Sequence, residues 1–330
     1  MTDAPTAEYS VRPGEAGVRL DRWLAARLPE LSRTRLQALV EAGEVTVGGR
    51  RRAPAYRLRV GETVSVRLPP PALRSLAPEP IPLTVVFEDE YLLVVDKPAG
   101  MVVHPGAGHP SGTLAAAVLA HAPSVAAVGG PGRPGIVHRL DKGTSGLLMV
   151  AKEPGTFQAL VKQLASRSVS RGYLALVHGE MAESAGVIEA PIGRHPHHRI
   201  RMAIYPTGRG KAAVTHFTVL ERFSGFTFLE AKLGTGRTHQ IRVHLASLGH
   251  PVVGDEIYRR RSTRRIHDPT LSALVDGLDG IALHAAALGF VHPITGQRLE
   301  FVSPLPKRIE RLLSHLRSAR KASSVSSSHH

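Results

Sequence analysis

The 330-residue chain contains no cysteine. That absence excludes disulfides, thiolate zinc sites and cysteine nucleophiles together, and it predicts a protein of the reducing cytoplasm. No apolar run approaches the roughly 18 residues of a membrane span. The opening stretch from Met1 to Gly17 is polar and acidic and lacks a signal-peptide core. No H-E-x-x-H motif, no paired-carboxylate motif and no phosphate-binding glycine loop occur, so no metal, nucleotide or redox cofactor is expected. No βαβαβ alternation occurs either, which excludes a dinucleotide-binding domain. Acidic residues are scarce: 42 Lys plus Arg face 27 Asp plus Glu, a formal net charge of +15. Such a balance predicts an anionic partner, most often nucleic acid, although a compositional drift toward arginine would also produce it.

What is present organises into two parts. Apolar residues make up 42% of the chain, enough to bury a core. Residues 1–15 read as disordered. Leu20, Trp23 and Leu24 recur at i, i+3, i+4, the stripe of an amphipathic helix. Ser32 stands as N-cap for a second helix carrying Leu36, Leu39 and Val40, and Gly43 as its stop. Short strands around Gly48, Gly49 and Gly61 follow. Arg33, Arg35, Arg50, Arg51 and Arg52 cluster near these turns, as phosphate contacts or as a solvated basic face. Residues 68–82 form a Pro-rich, semi-rigid linker. Hairpins mixed with a few helices then predict an α+β domain over 83–315 with a mainly antiparallel sheet. Residues 191–214 hold five basic residues, three histidines and no acid, and 258–265 hold five arginines. Both read as basic patches, and residues 316–330 as a disordered tail.

The whole is organised around GIVHRLDKGTSGLLMVAK, Gly135 to Lys152. It predicts strand, turn, strand, with Leu147 to Val150 buried on both faces. The turn carries one carboxylate, Asp141, among His138, Arg139, Lys142, Thr144 and Ser145. A single carboxylate on a rigid frame suits nucleophilic catalysis; the alternative is a turn aspartate that only bonds nearby N–H groups.

HRLDKGTSGLL resembles the signature of the RluA/RluD class of RNA pseudouridine synthases. Four further segments resemble that family in its order: DKPAGMVVHPGAG, RGYLALVHG, GRTHQIRVHLASLGHPVVGD and LHAAALGFVHPITGQ. Together they cover roughly residues 16–315, far more specific than one motif. The N-terminal helices and ribbon resemble the alpha-L RNA-binding domain of ribosomal proteins, over 16–67. The resemblance implies a catalytic domain with a mixed, mainly antiparallel sheet and a central cleft. It implies that Asp141 is the nucleophile, attacking either the sugar or the ring, and that Arg237 is its ion-pair partner. Tyr173 would stack on the uracil or take its ring proton. Arg139 would fill the place of a uridine that has left its stack, beside Leu140, with His138 a structural hydrogen bonder and Thr144 fixing the turn. The implied substrate is RNA, best matched by a loop of large-subunit ribosomal RNA, with no DNA or membrane partner and no cofactor; no long exposed apolar stripe asks for a partner, so a monomer is expected.

Two other readings stand beside this one. A metal-dependent RNA hydrolase could use His104, His138, His239 and Asp141. A non-catalytic RNA-binding assembly protein would share the basic charge and the fold but use no nucleophile.

Overall fold

The computed structural model describes residues 6–29, 31, 33–68, 76–106, 108–130, 133–198, 200–206, 208–259 and 266–327, with side chains for all but 33–35 and 322–327. Ser32, most of the second basic patch and the first half of the linker lie outside these residues. The chain divides into two compact units, Met1–Arg74 and Ser75–His330.

The first unit is a four-stranded antiparallel sheet packed on two helices. Its elements are β1 (Thr6–Ser10), α1 (Leu20–Arg27), α2 (Arg33–Ala42), β2 (Val45–Val47), β3 (Arg50–Arg51) and β4 (Thr63–Arg67), in sheet order β1-β4-β2-β3. The expected stripes meet in one core: Leu20, Trp23 and Leu24 from α1, Leu36, Leu39 and Val40 from α2, and Val45, Val47, Val64 and Val66 from the strands. Gly43 stops α2 with φ +78°, a left-handed position that costs glycine little. Two expectations need correction. Residues 6–15 are ordered, because β1 pairs antiparallel with β4, Val11 is buried, and Tyr9 packs edge-on against Trp23. Their small polar residues belong to a half-exposed edge strand. Residues 56–60, expected as a strand, make only a bridge from Arg57 to Arg19.

The second unit is built on a sheet that is nine-stranded among the described residues. In chain order its elements are β5 (Thr84–Glu88), β6 (Leu92–Lys97), α3 (Leu114–His121), β7 (Ser145–Ala151), α4 (Pro154–Ala165), β8 (Ser170–His178) and β9 (Ala185–Glu189). Next come β10 (Ile192–Arg194), β11 (Met202–Ile204), β12 (Val214–Phe223), β13 (Phe226–Leu233), α5 (Gln240–Ser247), α6 (Pro269–Asp276), β14 (Leu283–Val291), β15 (Arg298–Val302) and α7 (Lys307–Ser327). The sheet runs β5-β6-β7-β14-β8-β13-β12-β9, with β15 added to the far half of β14. Among the described strands of this sheet only β7 and β14 pair in parallel. The α+β class with a mainly antiparallel sheet is therefore the observed one. β10 and β11 form a separate ribbon.

The apolar run of the central motif becomes β7, and every one of its residues is buried. Leu148 and Val150 face one core with Leu93, Val95 and Leu283, while Leu147, Met149 and Ala151 face the other with Leu92, Val94 and Phe290. Period-two alternation thus feeds two cores from one strand. The lead-in, expected as a strand, is only a bridge between Ile136 and Val150. The C-terminal tail also needs correction: α7 continues to Ser327. Ile309, Leu312, Leu313 and Leu316 bury one stripe of it, and Arg317 pairs with Glu221.

Glycines permit the closest approach behind the motif. Gly146 has φ +116°, and a Cβ there would lie 2.3 Å from the Ala285 carbonyl oxygen on β14. Gly146→Ala is therefore expected to lower the unfolding free energy by at least about 2 kcal/mol in urea titrations. An unchanged midpoint would mean that the two strands can part there without cost.

Candidate active site

The turn from His138 to Thr144 is held from several sides. The Asp141 carbonyl accepts from Thr144 N–H at 3.1 Å, and the Gly143 carbonyl accepts from Ile281 N–H at 3.1 Å. The Lys142 carbonyl accepts from Gly100 N–H at 2.8 Å. Lys97, fully buried, directs its amine at the carbonyls of Pro98 (2.7 Å), Met101 (2.9 Å) and Lys142 (3.4 Å). Burial pulls that amine down to about 7, opposed by the nearby Asp141 and Asp96 carboxylates. Thr144 therefore secures the turn through its backbone; its buried hydroxyl has no partner among the described residues.

A second set of bonds fixes the start of β7. Arg308 on α7 can only donate, and its Nη2 points at Ser145 Oγ at 3.0 Å. The Ser145 hydroxyl then donates to His284 Nδ1 at 3.0 Å, leaving His284 Nε2 to donate to Ser303 Oγ at 3.1 Å. Ser303 in turn donates to Asp96 on β6. Every hydroxyl in this chain points away from Arg308, so the network has one consistent hydrogen arrangement and ties α7, β7, β14 and β6 together.

On this frame Asp141 meets α5. Arg242 Nη1 donates to Asp141 Oδ2 at 3.0 Å. The other edge of the same guanidinium is held by Asp255, with Nε to Oδ2 at 2.7 Å and Nη2 to Oδ1 at 2.9 Å. Asp255 is fully buried and also accepts from the N–H groups of Ile257 and Tyr258. The Tyr258 ring lies 5.1 Å below the guanidinium. With two donor pairs committed to Asp255, Arg242 keeps one nitrogen for Asp141, and Asp141 Oδ1 stays clear of it. The Tyr258 hydroxyl accepts from Met202 N–H at 2.8 Å and donates to His239 Nδ1 at 2.9 Å. His239 Nε2 then faces Asp141 Oδ1 at 3.8 Å, beyond hydrogen-bond reach. His239 sits at φ 56°, a strained conformation for a non-glycine residue at the head of α5.

These residues line a cavity of about 430 Å³ that includes His138, Arg139, Leu140, Asp141, Thr144, Tyr173, Arg237, His239 and Arg242. A larger cavity of about 1550 Å³ shares Arg139, Leu140 and Asp141 with it, so the carboxylate lies in an open cleft. Tyr173 on β8 is 6% exposed, and burial, aided by Asp141, pushes its phenol up to about 12. His138 Nε2 accepts from Met149 N–H at 3.1 Å, and burial pulls the ring down to about 3, so it is neutral. Leu140 is buried, and Arg139 is exposed over the cleft.

Arg237 is the expectation the geometry corrects. It is exposed before α5, and its Nε donates to the Ala212 carbonyl at 3.1 Å. Arg242, five residues on, is the cation on Asp141. Sequence held a signal for this: α5 is buried over Gln240 to Ala246, and an arginine in such a helix requires carboxylates. Arg50 and Arg51 are exposed on β3 in the first unit, and the side chains of Arg33 and Arg35 are outside the described residues. Among the described residues, no group of three or more His, Asp or Glu side chains could hold a metal.

Removing Asp255 would leave Arg242 buried with two of its three side-chain bonds unmade. Asp255→Ala should cost about 3–5 kcal/mol of unfolding free energy. Adding Arg242→Met should restore more than half of that loss in the same urea titration. Additive losses would show that the pair is not energetically coupled.

Comparison with known proteins places this arrangement. Residues 91–247 match the RNA pseudouridylate synthase family and residues 18–64 the S4 domain family. The chain is 46% identical over 324 residues to ribosomal large subunit pseudouridine synthase D of Xanthomonas campestris, covering 97% of this chain and 96% of the relative. It is 46% identical over 309 residues to the protein of that name in Pseudomonas aeruginosa, covering 93% and 94%. Among solved structures, human RNA pseudouridylate synthase domain containing 4 superposes with a TM-score of 0.56 at 25% identity, covering 71% of this chain and 93% of that one.

Proposed function

Because the chain belongs to the RNA pseudouridine synthase family, we propose that Asp141 is the nucleophile with which it isomerises uridines of large-subunit ribosomal RNA. The chain is an isomerase, with an S4 domain ahead of a pseudouridine synthase fold. Among the described residues no helix is long and apolar enough to cross a membrane. The ribosomal substrate follows from the names of the relatives, the S4 domain and the net charge of +15. A monomer working in the cytoplasm fits the same reading.

The observation that carries the nucleophile is the one-sided engagement of Asp141. Arg242 holds Oδ2 with a charged donor, while among the described residues Oδ1 accepts no hydrogen bond, His239 Nε2 standing 3.8 Å away, and the residue lines the cleft. The reaction breaks the bond between N1 of uracil and C1′ of ribose and forms one between C5 and C1′. C5 loses a proton and N1 gains one, so the product has the mass of the substrate. Oδ1 supplies the electron pair that attacks the sugar or the ring, and Arg242 stabilises the carboxylate again as it leaves. Tyr173 stays a neutral phenol at pH 7, which is a poor proton acceptor. Its ring serves as a wall on which uracil stacks. Leu140 and Arg139 flank the point where the base enters, and Arg139 substitutes for the base in the stack it has left. Arg237, Arg50 and Arg51 contact phosphate, a positioning role.

The test is isomerisation of ribosomal RNA by wild-type protein and by Asp141→Asn, with pseudouridine mapped chemically. The wild type should form pseudouridine without chelatable metal and without cutting the chain. Asp141→Asn should form none while its affinity for RNA stays within about threefold. Turnover by the variant, or strand cleavage by the wild type, would contradict the assignment.

A further inference from the structure

Among the described residues five arginines line the catalytic cavity, Arg133, Arg139, Arg171, Arg237 and Arg242, against one carboxylate, Asp141. Asp141 is already engaged by Arg242, and Arg237 and Arg139 are exposed. Arg171 is different. It stands two residues before Tyr173 on β8, so both side chains lie on one face of the strand. Its Nε is buried without a hydrogen-bond partner, and among the described residues its guanidinium makes no ion pair. Burial pulls its pKa down, the direction expected of an uncompensated cation. Gly236 across the cavity leaves it room: a Cβ there would lie 2.6 Å from Arg171 Nη1.

Arg171 is half-buried, and a guanidinium whose Nε is sealed from water without a bond is costly to keep unless a ligand engages the rest of the fork. Building on the reading of Asp141 as the reacting group, we infer that Arg171 binds a phosphodiester flanking the target uridine. A nucleotide that enters the cavity brings phosphodiester as its only anion, and the planar fork of arginine matches two phosphate oxygens at once. Arg171 and Tyr173 then read the two ends of one nucleotide from one strand, phosphate on the first and base on the second. This separates Arg171 from the exposed arginines, which meet phosphates in solvent and contribute little each.

The experiment crosses a protein change with an RNA change. Wild type and Arg171→Met are each given a short RNA carrying the target uridine. The phosphates on its 5′ and 3′ sides are replaced singly by an uncharged methylphosphonate, and both Kd and the isomerisation rate are measured. Arg171→Met should weaken binding of unmodified RNA by about 10–100-fold. Methylphosphonate at one of the two positions should weaken wild-type binding by a similar factor and Arg171→Met binding by less than about twofold. Free Arg171→Met protein should melt at or above the wild-type temperature, because a buried, unbonded Nε–H is gone. Losses that multiply at both positions, unchanged affinity of Arg171→Met, or a lowered melting temperature with no phosphate dependence would overturn the inference. If the phosphate dependence appears but the wild type forms no pseudouridine, the functional reading fails while the phosphate site stands.

Discussion

The site depends on one buried guanidinium shared by two carboxylates. Arg242 is 7% exposed and Asp255 is fully buried, so neither charge is tolerable alone. Their two parallel bonds fix the plane of the guanidinium, and that plane leaves a single nitrogen to meet Asp141. Without Asp255, Arg242 would be free to turn its fork onto Asp141 and occupy both oxygens of the nucleophile. Asp255 thus decides how much of Asp141 remains available, although it does not touch Asp141 itself.

The remainder of the second unit holds Asp141 and Arg242 in register. Asp141 arrives on a turn whose carbonyls are tied to Lys97, Gly100 and Ile281, and whose exit strand is buried on both faces. The ordered chain from Arg308 to Asp96 braces that strand against the last helix and the sheet. Arg242 arrives on a helix whose first turn is set by His239 in a left-handed conformation. Tyr258 links the two halves, beneath the guanidinium and bonded to His239. Geometry of this kind places reacting groups before substrate arrives, so little rearrangement is needed in the transition state.

Much of this was legible in the chain itself, for identifiable reasons. The run from Leu147 to Val150 had to be a doubly buried strand, and the stripes of Leu20, Trp23 and Leu24 and of Leu36, Leu39 and Val40 had to meet a core. The lone carboxylate of the turn was visible because no other acid lies near it in sequence. What stayed hidden depends on long-range geometry. Arg237 and Arg242 lie five residues apart, and only the burial of α5 tells which turns inward. The partnership of Arg242 with Asp255 spans 13 positions and crosses a loop. Residues 6–10 conceal an edge strand in a polar composition, since only one face of it needs to be apolar. The length of α7 was hidden in the same way, by a serine-rich end that carries no apolar stripe.

The central claim is that Arg242, and not Arg237, governs the nucleophile. Single-turnover isomerisation by Arg242→Met and Arg237→Met, at saturating RNA, tests it most directly. Arg242→Met should slow the chemical step by at least about 100-fold, as expected for loss of a charged group that stabilises the reacting carboxylate. Arg237→Met should leave that step within about threefold of wild type and act on affinity alone. A full-rate Arg242→Met beside a slow Arg237→Met would contradict the account.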